Sequence, residues 1–326
     1  MNPRRTLLLA VGGAALSAAL PLRAQSQNRV WRIGLLQATD RQSNLDNLDA
    51  FRQGMQELGH AEGKTYVLEY RSAEGRTERF AELAAELARL KVDLIVTRGT
   101  PATQAARDTG IPVVMAAIGE AVGTAVVSSL AHPGGNVTGL SSFATELQAK
   151  RMEMFRELLP RAKRIAALFN MGNPSEPSQW AEAEKAGTLL GMQSRLLDVR
   201  AEEGLARAFD SAARWRADGL VAGIDSVFLA NRKTIAGLAA KHRLPAMYIS
   251  REFVEAGGLM SYGVSYPHLY FRSAEFVHKI FSGARPGDIP VQQPTKFELV
   301  INLKAAKALG ITEPRALLLR ADRVIE

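Results

Sequence analysis

The chain has 326 residues, 47% apolar and 23% charged, a composition typical of a globular protein long enough for two domains, and one that excludes disorder. It contains no cysteine, which excludes disulfides, thiolate nucleophiles, cysteine-ligated zinc and iron–sulfur clusters. The formal charge is +8. Without Arg4, Arg5 and Arg23, 38 basic and 33 acidic residues remain, which gives +5. The basic residues are scattered along the chain, and this does not favour nucleic-acid binding.

Residues 1–24 have the pattern of a secretory signal peptide. Arg4 and Arg5 precede an apolar stretch at 6–20, and Leu22-Arg23-Ala24 offers a cleavage site after Ala24. The stretch is too short to span a bilayer, and nothing later is long and apolar enough to do so. The arginine pair leaves both the general secretory and the twin-arginine route open. We expect a periplasmic protein without a membrane anchor.

The element that organises the first half lies at residues 91–117. An apolar, β-branched run at 92–97 predicts a buried parallel strand, and a second strand follows at 111–117. Between them, Gly99, Thr100 and Pro101 favour the start of a helix that ends at Asp108, with Thr100 as its cap. An anion could bind at that helix start, and the alternative is an ordinary cap without a ligand.

Strands and helices alternate on both sides of this unit. Before it we predict a strand at 30–37, a helix at 45–58, a strand at 65–70 and a helix at 77–90. After it we predict a crossover at 120–130 and a strand at 136–140.

The alternation then starts again, which predicts a second lobe. Its predicted elements are a helix at 147–159, a strand at 164–169, a helix at 180–190, a strand at 193–199, a helix at 202–215, a strand at 219–224, a helix to 242 that Asp225 and Ser226 could cap, and a strand at 244–249. The last third is less regular, with a strand at 258–264, a helix at 269–281, an extended connection at 286–294, a strand at 296–301 and a short helix to 310. This pattern predicts an α/β fold with two Rossmann-like, doubly wound lobes.

Residues that follow the strands are the candidates for ligand binding, because doubly wound sheets bind ligands beyond the carboxyl ends of their strands. They lie at 37–40, 98–102, 117–120, 170–173, 225–228 and 248–251, and are mostly amides, hydroxyls, carboxylates and aromatics. No serine has the setting of a nucleophile, no glycine loop suits a phosphate, and no histidines pair at metal-ligand spacing. We therefore predict no catalytic residue, metal or cofactor, although a hydrolase that uses Asp and Glu stays open.

Several runs of residues resemble one family, in order, along nearly all of the chain after the leader. They include 96–102 (V-T-R-G-T-P-A), 133–141 (P-G-G-N-V-T-G-L-S), 256–263 (A-G-G-L-M-S-Y-G) and 293–304 (Q-P-T-K-F-E-L-V-I-N-L-K). The family is the bacterial ABC transporter substrate-binding proteins, whose relatives include a tryptophan-binding lipoprotein. The resemblance implies a type I periplasmic binding protein, with two similar lobes joined by a three-crossover hinge. By that resemblance the first lobe comprises 29–141 and 250–288, the second comprises 142–249, and 289–326 completes the hinge and both lobes.

The same resemblance implies a binding site between the lobes. By analogy with amino-acid binders of this fold, the ligand carboxylate would be received by Thr100, Pro101, Ala102, Ala117, Ile118 and Gly119. Asn170 and Asp225 of the facing lobe would contact its amino group. Gln37 belongs to the set of residues that follow strands. Tyr248, Tyr262 and Phe228 are candidates for stacking on a flat ligand, with burial in the core as the alternative. Glu120-Ala121 stands where relatives commonly carry Asp-Pro, so ligand preference at that loop can differ.

The function implied is solute binding for ABC import, with an amino acid, aromatic ones included, as the ligand. The implied partners are the small-molecule ligand and, transiently, an ABC permease in the inner membrane, and a monomer is expected. The lipoprotein relatives' anchoring cysteine is missing from this sequence. The alternatives are a secreted hydrolase-like enzyme and a ligand sensor for a membrane signalling protein.

Overall fold

The computed structural model describes residues 29–312 and 314–326, so the signal peptide predicted at 1–24 lies outside the described residues. The first lobe has a five-stranded sheet whose strands are β1 (Trp31–Gln37), β2 (Tyr66–Ser72), β3 (Leu94–Arg98), β4 (Val113–Ile118) and β5 (Val137–Ser141). Its helices are α1 (Leu45–Glu57), α2 (Phe80–Arg89), α3 (Thr100–Arg107) and, from later in the chain, α10 (Tyr266–Phe281). The strands are all parallel, in the order β2-β1-β3-β4-β5.

The second lobe has a seven-stranded sheet. Its strands are β6 (Arg164–Phe169), β7 (Gln193–Asp198), β8 (Gly219–Ala222), β9 (Ala246–Tyr248), β10 (Met260–Val264), β11 (Phe297–Asn302) and β12 (Arg323–Ile325). Its helices are α4 (Leu147–Leu158), α5 (Glu176–Leu189), α6 (Leu205–Arg214), α7 (Ser226–Ala230), α8 (Arg232–Lys241), α9 (Arg251–Glu255), α11 (Leu303–Leu309) and α12 (Arg315–Arg320). The strand order is β12-β11-β10-β9-β8-β6-β7, and β10 and β11 pair antiparallel while the other neighbours are parallel.

Helices cover both faces of each sheet, which explains the continuous apolar runs in the central strands. In α1, Leu48, Phe51 and Met55 recur at helical spacing, are fully buried, and share an apolar cluster with α10. Burying a side chain of this size contributes about 1.5–3 kcal/mol to folding. On the opposite face of the same sheet, α2 and α3 pack against β1, β3 and β4.

The chain passes between the lobes three times, as predicted. The crossings are residues 142–146 between β5 and α4, Ser265 between β10 and α10, and residues 293–296 before β11. At the third crossing, Gln292 still pairs with Leu140 at the edge of the first sheet. The two-lobed α/β fold with a three-crossover hinge is therefore confirmed.

The lobe boundary differs from the prediction at one place. Residues 250–264 were expected in the first lobe, but β10 lies in the second sheet, where Met260 and Ser261 pair with Met247 and Tyr248 of β9. The chain returns to the first lobe only at Ser265, because the parallel pairing with β9 keeps β10 in the second sheet.

A buried arginine ties the first crossing to the second sheet. Arg151 of α4 is 3% exposed, and its guanidinium donates to the carbonyl oxygens of Ala144, at 3.2 Å, and Tyr262 of β10, at 2.7 Å. Burial lowers the pKa of Arg151 to about 10. Arg151 therefore fixes the first crossing against β10, just before the chain crosses again at Ser265.

The crossover predicted at 120–130 connects the parallel strands β4 and β5 without a helix, and its Ala125 adopts a positive φ of 54°. Two local predictions change in detail. The helix predicted up to 242 is divided at Asn231 into α7 and α8. Thr100 does not cap α3, because Gly99 takes the cap position with a φ of 89° that favours glycine.

No helix within residues 29–312 and 314–326 has the length and apolar character of a membrane span.

Candidate functional site

The carboxyl ends of the parallel strands of the two sheets face each other across a cleft. A small cavity of about 30 Å³, the interlobe cavity, lies at its centre. Its polar lining includes Arg98 from the first lobe and Asn173, Asp225 and Ser226 from the second. Its apolar lining includes Leu229, Ile249 and Phe253. Two wider cavities, of about 250 and 310 Å³, lie between residues of both lobes in the same cleft.

The lobes touch each other around this cavity, so the structure is a closed form. Gly119, just after β4, approaches Ser175 of the second lobe so closely that a Cβ on Gly119 would lie 3.0 Å from Ser175 Oγ. At the rim, Arg251 of α9 pairs with Asp46 of α1 at 2.9 Å. A cavity of this size holds about two water molecules. Any organic ligand therefore requires the lobes to open for entry and to close less tightly around it.

Arg98 is the only cation among the residues that line the interlobe cavity. It ends β3, and its Nη1 donates to Oε1 of Glu252, in α9 of the other lobe, at 2.7 Å. Its guanidinium carbon lies 3.5 Å from the centre of the Tyr266 ring, a cation–π contact. Burial alone would lower the pKa of Arg98. The negative charge of Glu252 is the largest of the opposing effects, which together hold the pKa of Arg98 above its usual value. The same pair holds the pKa of Glu252 below its usual value, although burial alone would raise it.

Asp225 presents a carboxylate to the cavity from the second lobe. It is 6% exposed, and its two oxygens accept hydrogen bonds from the backbone N–H of Val227 at 2.8 Å and from Asn173 Nδ2 at 2.9 Å. The first bond caps α7, as predicted for this position. No cation among the described residues pairs with Asp225, and burial raises its pKa. A positively charged group in the cavity would offset the free energy that is needed to keep the buried Asp225 carboxylate ionised.

A second buried carboxyl group, that of Glu176, binds the backbone next to Asp225. Glu176, at the start of α5, is fully buried and accepts hydrogen bonds from the backbone N–H groups of Ile224, at 2.9 Å, and Asn170, at 3.3 Å. Gln179 Nε2 donates to it at 3.0 Å. Burial, followed by the charge of Asp225, raises the pKa of Glu176 well above its usual value. Glu176 thereby fixes the loops that follow β6 and β8, which carry the polar lining of the second lobe.

Some of the predicted site residues lie at the interlobe cavity. Ala117 and Asp225 line it, and Gly119 makes the contact between the lobes described above. Thr100 is 1% exposed, and its Oγ1 has no hydrogen-bond partner among the described residues. Ala102 and Ile118 are fully buried and Pro101 half-buried, so these three could contribute only backbone groups.

Other predicted residues lie away from the cavity. Gln37 is buried inside the first lobe, where its side chain bonds Tyr270 and the carbonyl of Val96. Asn170 lies next to Asp225 but does not line the cavity, and its Oδ1 accepts a hydrogen bond from the N–H of Gly172 at 3.0 Å.

Both tyrosines proposed for stacking on a ligand have other neighbours. Tyr248 is fully buried and stacks on Phe253 with ring centres 4.9 Å apart, and it lines a different cavity, between α8 and α11. Tyr262 stacks on Phe297 at the hinge. Neither ring lines the interlobe cavity, because Tyr248 packs inside the second lobe and Tyr262 packs against the apolar clusters of both lobes at the hinge.

Arg98, Glu252 and Tyr266 were not among the individual site residues predicted from the sequence. Arg98 is the last residue of β3 and falls in the range of strand-end candidates, and a charged residue inside V-T-R-G-T-P-A was the signal available. Glu252 and Tyr266 carried no such signal, since only the folded chain brings them to Arg98. No group of three or more metal-ligating side chains occurs in the part of the chain that the structure describes.

Comparison with known proteins identifies relatives of the same architecture. Residues 32–325 match the family described as ABC transporter substrate binding protein. The tyrosine-binding protein of Clostridioides difficile strain R20291 is 24% identical over 281 residues, which is 86% of this chain and 81% of that protein.

Two solved structures resemble this one over nearly its whole length. The ABC domain of Streptococcus pneumoniae in complex with L-Trp has a TM-score of 0.84 and 27% identity, over 91% of this chain and 100% of that one. The ligand-free, open structure of a substrate-binding protein from Clostridium difficile, at 23% identity over 91% and 99% of the two chains, has a TM-score of 0.65.

Proposed function

Because the chain belongs to the ABC transporter substrate-binding protein family, we propose that it binds an amino acid between its lobes and delivers it unchanged to an ABC importer. The proposal depends on the environment of Asp225. Its carboxylate is buried at a cavity between the lobes and has no cation as a partner among the described residues. The ammonium group of an amino acid bound there would neutralise this charge.

The opposite side of the cavity is suited to a carboxylate. Gly99, which immediately precedes α3, lines the cavity, and the first N–H groups of α3 have no partner within the helix. The relatives named above bind L-Trp and tyrosine, so aromatic L-amino acids are the first candidates. The apolar side chains of Leu229, Ile249 and Phe253 would contact the amino acid's side chain.

Binding would close the lobes by a shift in population. A ligand that contacts both lobes does so only in the closed form, and it stabilises that form by its difference in affinity for the two states. An importer permease would then recognise the closed form at the membrane surface. In this proposal the protein works outside the cytoplasm as a carrier rather than as an enzyme.

The first test is a thermal-shift and calorimetric screen of the purified protein against the L-amino acids. We expect L-Trp or L-Tyr to bind with a Kd in the micromolar range or below, and to stabilise the protein by about 2.7 kcal/mol at a ligand concentration a hundredfold above Kd. The compound recovered after incubation should be chemically unchanged. No binding by any amino acid would exclude this ligand class, and turnover would exclude a carrier.

The second test separates the charge of Asp225 from its capping role. Asp225→Asn keeps a good helix cap but removes the charge, so it should weaken amino-acid binding about tenfold or more while the free energy of unfolding changes little. Indole-3-propionate, which lacks the amino group, should bind the variant and the wild type equally. Asn302→Ala is the matched control, because Asn302 caps α11 through the N–H of Ala305 far from the cavity. It should cost about 1 kcal/mol of stability with no change in Kd.

Binding should also weaken in acid. Burial raises the pKa of Asp225, so its carboxylate takes up a proton at a higher pH than an exposed aspartate does, and the protonated form cannot pair with ammonium. Calorimetry across a pH series should show affinity falling as the pH is lowered, with a smaller fall for Asp225→Asn. An equal fall in both proteins would contradict the assignment of Asp225.

A further inference from the structure

Arg98 has hydrogen-bond donors that the protein does not use. A guanidinium carries five N–H groups, and among the described residues Arg98 donates only one hydrogen bond, from Nη1 to Glu252. Its Nε and Nη2 have no acceptor, yet they are not among the buried polar atoms sealed from solvent. Since the side chain is only 9% exposed and lines the interlobe cavity, these donors face the space where a ligand lies.

The orientation of this guanidinium is set from both lobes. Tyr266 of α10 lies against one face of it, at 3.5 Å, and Glu252 of α9 holds Nη1 at 2.7 Å. Glu252 belongs to the second lobe and Arg98 to the first, so the pair forms only when the lobes are closed. A planar, fixed guanidinium with two free nitrogens has the geometry that recognises a carboxylate.

The charges around the cavity complement a zwitterion. Asp225 offers an uncompensated carboxylate from one lobe, and Arg98 offers free N–H donors from the other. We propose that Arg98 binds the carboxylate of the ligand and so restricts the protein to carboxylate-bearing solutes, with Glu252 as the positioning residue that orients Arg98 on closure. The inference deepens the proposed function and rests on it for the location of the ligand.

The test compares ligands that differ only in the carboxylate. L-Trp is paired with tryptamine and L-Tyr with tyramine, together with a panel of other small carboxylic acids, and Kd is measured by calorimetry. Arg98→Gln should weaken binding of the carboxylate-bearing compounds roughly tenfold to a hundredfold and leave the amines unchanged. Arg98→Lys keeps the charge without the planar fork and should lose less. If Arg98→Gln does not fold, Arg98→Lys takes its place, with a loss of severalfold expected for the carboxylates alone.

Arg251→Gln is the matched control. Arg251 also forms an ion pair between the lobes, with Asp46 at 2.9 Å, but it does not line the interlobe cavity. Because it affects closure and not the ligand carboxylate, the control should change the Kd of the carboxylates and of the amines by the same small factor. Equal losses in Arg251→Gln and Arg98→Gln would mean that any ion pair between the lobes has this effect, and would overturn the proposal.

Glu252→Gln tests the positioning role. It should weaken the carboxylate-bearing probes less than Arg98→Gln does, and it should have no further effect when Arg98 is already replaced. An undiminished effect of Glu252→Gln in the Arg98→Gln background would show that Glu252 does not act through Arg98.

The outcomes separate this inference from the proposed function. If amino acids bind Arg98→Gln and the wild type equally, the inference is wrong and the proposed function stands. If no amino acid binds but another carboxylic acid does, and Arg98→Gln loses it, the amino-acid ligand is wrong and the role of Arg98 stands. If no carboxylate in the panel binds the wild type, the inference is overturned.

Discussion

Glu298 of β11 lies in a group of charged side chains at the cleft side of the second lobe. Burial raises the pKa of its carboxyl to about 7; Arg251 opposes this shift, and the charge of Glu252 adds to it. Its Oε1 is buried and has no hydrogen-bond partner in the described part of the chain. At neutral pH the folded protein therefore carries a carboxyl group whose ionisation costs stability.

The sign of the pH dependence follows from the raised pKa. Between the usual value of 4.5 and the folded value of about 7, the folded state binds this proton more tightly than the unfolded chain, so stability falls as the pH rises. Glu298→Gln should remove this loss and be more stable than the wild type at about pH 8 by on the order of 1 kcal/mol, with a smaller difference near pH 5. Urea unfolding at a series of pH values measures it. The exposed Glu275→Gln serves as the control, and a similar pH trend there would refute the role of Glu298.

Residue-level prediction succeeded where local chemistry is decisive. Asp225 was predicted to cap a helix at a strand end, and the structure has it capping α7 at the cavity. Arg98 was not selected, because its importance comes from Glu252 and Tyr266, which are distant in sequence. Tyr248 was a candidate for ligand stacking, with core packing as the alternative. The sequence does not show which face of the sheet an aromatic side chain at the end of a strand, such as that of Tyr248, lies on.

At the scale of elements, the loop after β4 and the start of α5 form a close approach between the lobes. Gly119 has no side chain to keep Ser175 away, and its φ is not in the region that favours glycine. A larger residue there is therefore a steric block rather than a source of backbone strain.

Gly119→Val should hinder closure and weaken ligand binding by about tenfold, because the closed form must accommodate the new methyl groups against Ser175. Small-angle scattering should show that the ligand-saturated variant stays more expanded than the ligand-saturated wild type. Gly237→Val on α8, where a Cβ meets nothing within 4 Å, is the matched control and should close normally. Normal closure by Gly119→Val would contradict the role given to this contact.

The helices and strands were predictable where periodicity is strong. The spacing of Leu48, Phe51 and Met55 predicted α1, and the β-branched run at 92–97 predicted β3, because both patterns follow directly from which face is buried. The segment at 120–130 was predicted only as a crossover, and its irregular backbone, with a positive φ at Ala125, has no periodic pattern in the sequence. Short elements such as α9 and β12 were not predicted, since tertiary packing decides segments of a few residues.

At the scale of the whole molecule, Arg151 joins the first crossing to β10 through the carbonyl groups of Ala144 and Tyr262. Arg151→Met should lower the free energy of unfolding by about 1–3 kcal/mol, because it leaves buried carbonyls without donors. It should also broaden the distribution of lobe separations in ligand-free scattering. Lys150→Met is the control, because Lys150 is exposed on the same helix and its ion pair with Glu153 contributes little. Equal stability of the two variants would mean that Arg151 does not tie the hinge.

The three crossings make each lobe discontinuous in sequence, and this affects the order in which the protein assembles. On the ribosome β1 to β5 emerge early, yet α10, which covers one face of their sheet, follows only after most of the second lobe. In turn β10 keeps an open edge until β11 pairs with it, and β11 keeps one until β12 pairs with β11. A nascent or translocating chain therefore stays loosely structured until almost its final residues arrive, and shortening its carboxyl terminus would leave an unpaired strand edge open to aggregation.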